Sequence, residues 1–78
     1  MRNERGALHM EVLSAIPGRI RVQLERPIDT DAPFARINGV ISCNYNPRIF
    51  TLTCLYDQSL TDEDKLIAQM GAVYAGMV

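Results

Sequence analysis

Gly39-Val40-Ile41-Ser42-Cys43-Asn44-Tyr45-Asn46-Pro47-Arg48-Ile49-Phe50-Thr51-Leu52-Thr53-Cys54-Leu55-Tyr56-Asp57 reads as a β-hairpin, and the rest of the chain can be placed against it. Asn46-Pro47-Arg48 carries the turn signal, because proline presets φ and asparagine tolerates a turn entry. The flanks are rich in β-branched and aromatic residues. A loop over Pro47 to Phe50 pairs Asn46 with Thr51, Tyr45 with Leu52 and Cys43 with Cys54. Cys43, Tyr45, Leu52, Cys54 and Tyr56 then share one apolar face, while Ser42, Asn44, Asn46, Thr51 and Thr53 share a polar one. An antiparallel sheet covered on one side has this pattern, and a slip of one residue would mix the two sets.

Upstream, the even positions from Leu8 to Leu24 are mostly apolar and several odd ones charged, which is strand periodicity interrupted at Pro17-Gly18. A single strand of that length would span roughly 55 Å at about 3.3 Å per residue, far more than the hairpin it must pair with. The stretch must therefore bend at Pro17-Gly18, fold back, or overhang the sheet. Residues 19–25 alternate most cleanly, with Ile20, Val22 and Leu24 as core. Thr30 or Asp31 can cap a helix of about two turns through Asn38, with Pro33 tolerated in its first turn and Asn38-Gly39 closing it. Downstream, Thr61 reads as an N-cap, with Asp62, Glu63 and Asp64 in a first turn where the helix dipole favours negative charge. Leu66, Ile67, Met70, Val73, Tyr74 and Met77 then recur at helical spacing.

The chain of 78 residues makes one small domain, residues 8–78, behind a polar, disordered segment 1–7. Hydrophobic residues are 47% of the chain, enough for one packed core. A net charge of −1, from 8 basic and 9 acidic residues, argues against nucleic-acid binding by phosphate neutralisation. No apolar run approaches the roughly 20 residues of a membrane span, so no membrane insertion is expected. No apolar stretch follows the charges at the N-terminus, so no signal peptide is read there and the expected location is cytoplasmic. His9-Met10 also resembles a junction, with Met10 as a second candidate start.

The element order is strand, short helix, strand, strand, helix: an α+β chain on the ferredoxin-like βαββα(β) plan. That plan has an antiparallel sheet with two helices on one face, and here its final strand is missing or replaced. Ile16-Pro17-Gly18-Arg19-Ile20-Arg21-Val22, then a helix, then Asn38-Gly39-Val40, a strand ending in Asn46 and a further strand from Thr51 to Asp57 resemble the heavy-metal-associated domains. These modules occur in copper chaperones and at the N-termini of metal-transporting P-type ATPases. The likeness is greatest to a diverged branch that opens with a PGRxR-type strand, and it covers about residues 16–70. The resemblance implies a metal loop, Met-x-Cys-x-x-Cys, between the first strand and first helix. Here that segment is Glu25-Arg26-Pro27-Ile28-Asp29-Thr30-Asp31, without cysteine, and carboxylates do not replace thiolates for a soft copper ion. In that fold the last strand pairs with the first. Its loss leaves the edge of residues 19–25 open to a second copy or to the segment from Leu8 to Ala15.

The candidate site residues are few. Cys43 and Cys54, opposed on the core face, read as two small core residues, as a thiolate pair for copper or zinc, or as a redox disulfide. His9 and Met10 add ligands only if the N-terminal segment folds over them. Leu8, Met10, Val12 and Leu13, with Arg19 and Arg21, are the candidate interface of a homodimer formed through the strand edge. Arg19, Arg21 and Arg48 on the open face read as a solvated surface. The outward positions Thr51, Thr53 and Leu55 lack the stacking aromatics of RNA-binding sheets. No nucleophile–base constellation or phosphate loop is present, and no cofactor is called for. The expected function is a non-enzymatic interaction module accessory to metal transport, with a metal-transporting P-type ATPase as a candidate partner. The alternative is a soft-metal carrier using Cys43 and Cys54.

Overall fold

The computed structural model describes residues 10–77, and the readings made for residues 1–7, Leu8 and His9 lie outside them. The elements run β1 (Met10–Ile16), β2 (Arg19–Leu24), α1 (Ala32–Ala35), β3 (Val40–Asn46), β4 (Thr51–Tyr56) and α2 (Glu63–Gly76). The strands form a four-stranded sheet in the order β1-β2-β4-β3, with every neighbouring pair antiparallel. The chain is thus a small α+β structure, but its ββαββα order is not the expected βαββα.

The β3–β4 hairpin has the expected register: Asn46 opposes Thr51, Tyr45 opposes Leu52 and Cys43 opposes Cys54. Asn46 shapes the turn with its side chain, its Oδ1 accepting from the Arg48 N–H at 3.0 Å. Phe50 closes the loop at φ 54, a conformation unusual for a residue with a Cβ. Neighbours from β2 hold it there: the Phe50 carbonyl accepts from the Leu24 N–H at 2.8 Å, and the Gln23 amide reaches the carbonyls of Ile49 and Phe50.

Of the three routes open to the first segment, the chain takes the fold-back. Pro17 presets one turn residue and Gly18, at φ 82, supplies the other, the φ pairing of a type II turn. β1 then returns along β2, from Ile16 opposite Arg19 to Met10 opposite Leu24. The border of β2 is therefore occupied by β1 rather than open. The expected even-numbered apolar face of this segment holds only as far as Val12. A bulge between Val12 and Ser14 shifts the alternation, so that Ala15 packs against the core and Ile16 is exposed on the other side.

One core joins sheet and helices. Ile20, Val22 and Leu24 of β2 and Leu52, Cys54 and Tyr56 of β4 lie under Phe34 of α1 and Leu66, Met70 and Tyr74 of α2. Both helices thus cover the same face, and the opposite face carries Arg21, Thr53, Asn44 and their neighbours.

Both helix ends depart from expectation. α1 is a single turn rather than two. Past Ala35 the chain proceeds by tight turns, with Ile37 N–H donating to the Phe34 carbonyl and Val40 N–H to that of Ile37, because it must swing back to begin β3. Gly39 makes that swing at φ 94, tight against Thr61. The cap of α2 is Asp62, not Thr61: Asp62 Oδ1 accepts from the Lys65 N–H at 2.8 Å, while Thr61 is buried under Gly39. Glu63 and Asp64 occupy the first turn as expected.

Candidate functional site

The register of the central hairpin brings two reactive side chains together. Cys43 sits on β3, the border strand, and is half-buried, whereas Cys54 on β4 has no exposed surface. Directly opposed on the sheet, they bring their sulfur atoms to 2.7 Å, both as free thiols. Loop length decides this contact, since one residue more or less between Asn46 and Thr51 would turn one thiol to the opposite face.

The two sulfurs differ electrostatically. The contact between the two thiols, in which either sulfur can donate, lowers the pKa of Cys43 below the usual thiol value against the opposing effects of burial and of Asp31. The same contact keeps the proton on Cys54, with burial and the nearby negative charge adding to the upward shift. Burial separates them as well, since Cys43 is the more accessible of the two.

The connection from β2 to α1 runs close by. Two tyrosine hydroxyls anchor it: Tyr74 accepts from the Arg26 N–H at 2.7 Å, and Tyr45 from the Ile28 N–H at 3.3 Å. Ile28, Asp29, Thr30 and Asp31 of this connection, with Tyr45 and Pro47, line an open depression of about 330 Å³. Asp31 also acts on both thiols, a proximity that the sequence reading missed. The signal was present in the hairpin register, which sets Tyr45 two positions from Cys43 on the same face as the connection it holds.

The other candidate residues are dispersed. Met10 opposes Leu24, while the cysteines lie in the row of Ala15 and Ile20. Four residues along the strand and three strand spacings across put Met10 roughly 19 Å from that row's far end. Its terminal methyl instead reaches α2 beside Gly71. Val12 and Leu13 are 40% and 48% exposed at the β1 border. Arg19 and Arg21 lie on β2, inside the sheet, pointing away from the helices; Arg21 is exposed and Arg19 half-buried. Leu55 is exposed, as its outward position implies, whereas the exposed side chains of Ile16 and Ile41 were not foreseen as surface.

A metal fits this pair poorly. Two thiolates bound tetrahedrally to one ion, with bonds of about 2.3 Å, stand about 3.7 Å apart, so both side chains would have to rotate outward. Among the described residues no group of three His, Cys, Asp or Glu side chains is gathered to complete such a site. A sulfur–sulfur bond needs less rearrangement. No family model matches the chain, and neither the curated proteins nor the solved structures give a match.

Proposed function

We propose that this chain is a non-enzymatic interaction module on a ferredoxin-like plan in which β1 stands in for the closing strand. The observation that carries the reading is the strand order. With β1 set aside, β2, β3 and β4 correspond to the first three strands of that plan, lying in space as first, third, second. The fourth strand of the plan lies beside the first, antiparallel to it, which is where β1 pairs with β2. The resemblance of residues 16–70 to heavy-metal-associated domains then points to a role accessory to metal transport, with a metal-transporting P-type ATPase as the partner class. Residues 25–31, without cysteine, favour protein contact over metal transfer.

The contact surface in this reading is the outer border of β1. Its backbone groups on that side face no strand among the described residues, and Val12 and Leu13 add apolar area. A second copy fits such a border, since antiparallel pairing of β1 with its equivalent is self-complementary about a two-fold axis. Light scattering behind size exclusion tests this. The expected mass is twice the 8.7 kDa of the chain, falling toward one chain for Leu13→Asp, which alters a half-exposed side chain. A single-chain mass maintained up to about 1 mM protein, a concentration at which even feeble pairing registers, refutes the self-association.

A further inference from the structure

We propose that Cys43 and Cys54 are a redox-active dithiol that closes reversibly to an intramolecular disulfide by exchange with small-molecule disulfides, Cys43 attacking and Cys54 resolving. Directly opposed antiparallel residues have Cα atoms about 4.5–5.5 Å apart, within the range a disulfide spans without backbone movement. The sulfurs already touch at 2.7 Å. Both residues sit in the regular part of the hairpin, between the bulge near Ile41 and the loop, so closure leaves the register intact.

Burial assigns the order of events. A reagent in solution reaches Cys43 on the border strand but not Cys54, which is fully buried. The Cys43 thiolate attacks one sulfur of R–S–S–R. That bond breaks, one RS⁻ departs and takes a proton, and a mixed disulfide remains on Cys43. Cys54 is then the thiol in contact with the Cys43 sulfur. It passes its proton to the second departing RS⁻ as its sulfur bonds to Cys43, releasing a second RSH. Two protein thiols become one disulfide, and the reagent disulfide, gaining two electrons, becomes two thiols. A dithiol reductant reverses the sequence. This inference is independent of the interaction reading, because it uses β3 and β4 and leaves the β1 border untouched.

The test incubates the folded chain with oxidised glutathione under native conditions and follows the intact mass. The expected product is the chain lighter by about 2 Da, without adduct, restored by dithiothreitol. Cys54→Ser should stop at one glutathione adduct, and Cys43→Ser should gain none until denaturant is added. The rate of adduct formation in Cys54→Ala, whose side chain is apolar and small, checks that the serine has not opened the core. Three results overturn the proposal: wild-type thiols that stay unreacted until the chain unfolds, a wild-type product that remains a mixed disulfide, or Cys43→Ser reacting as fast as wild type.

Discussion

Replacing Gly39 by alanine should destabilise the chain by about 3 kcal/mol, by two mechanisms that a second substitution separates. Gly39 has φ 94, where an L side chain crowds its own backbone at a cost of about 1–2 kcal/mol. An added Cβ would also lie 2.7 Å from Thr61 Cγ2 and 3.0 Å from Thr61 Cβ, and overpacking of that kind costs about 1–3 kcal/mol. Thr61 is itself buried, and its hydroxyl finds no hydrogen-bond partner among the described residues. Thr61→Ala removes the Cγ2 methyl, worth about 0.8 kcal/mol when buried, but also removes that orphan hydroxyl, so alone it should be nearly neutral. In the Thr61→Ala background the 2.7 Å contact is gone but the Cβ at 3.0 Å stays, so Gly39→Ala should cost about 2 kcal/mol, the backbone part and a residual contact, and the reduction appears as coupling between the two sites. Gly71→Ala is the internal control. It lies inside α2, where among the described residues beyond its own helix turn only the Met10 methyl comes within 4.0 Å of an added Cβ, so the same substitution should stabilise by about 0.5–1 kcal/mol. Urea unfolding of the single and double variants gives all the terms. A loss below about 0.5 kcal/mol for Gly39→Ala, or a loss that Thr61→Ala does not reduce, would refute the close approach of the β3 entry to the start of α2.

Two further substitutions address the elements that hold the site. Tyr74→Phe keeps the ring in the core but strips the Arg26 N–H of its acceptor, so it should cost about 1–3 kcal/mol, or several degrees in the thermal midpoint, with faster amide exchange at Arg26; unchanged exchange there would mean the tyrosine does not anchor the connection. Asp62→Ala should cost about 1 kcal/mol with Asp62→Asn nearly silent, whereas Thr61→Ala should show no cap loss. The reverse ranking in thermal melts would return the cap to Thr61.

The central hairpin was legible because two independent signals agree there. Asn46-Pro47 fixes the loop, and the alternation of Cys43, Tyr45, Leu52 and Cys54 fits only the register that loop allows. The first segment was legible as strand but not in its route. Its apolar residues and those of β2 both fall on even positions, while a two-residue turn at Pro17-Gly18 pairs even positions with odd ones, as in Ile16 with Arg19. The two apolar rows share a face only if one strand carries an extra residue, and the bulge at Leu13 supplies it. The same arithmetic applies to β3, where Val40 and Cys43 both pack inward three positions apart and the extra residue is the exposed Ile41. The helix boundaries escaped the sequence for a different reason. Thr61 and Asp62 are both good caps, and the choice between them falls to tertiary packing, because Thr61 is needed under Gly39. The length of α1 is likewise set by where β3 must begin, not by the propensities of Arg36, Ile37 and Asn38.

The sheet order also keeps the two proposed activities apart. β1 and β3 are opposite borders, three strand spacings or about 14 Å from one another. A bond between Cys43 and Cys54 ties β3 to β4 and changes nothing in the pairing of β1 with β2. Association through the β1 border should therefore be the same for the dithiol and the disulfide, and pairing there should leave Cys43 equally reactive. If the mass in solution instead follows the oxidation state, the contact belongs to the β3 border. There Ile41 stands 68% exposed beside the strand that carries Cys43, and the role assigned to Val12 and Leu13 would pass to it.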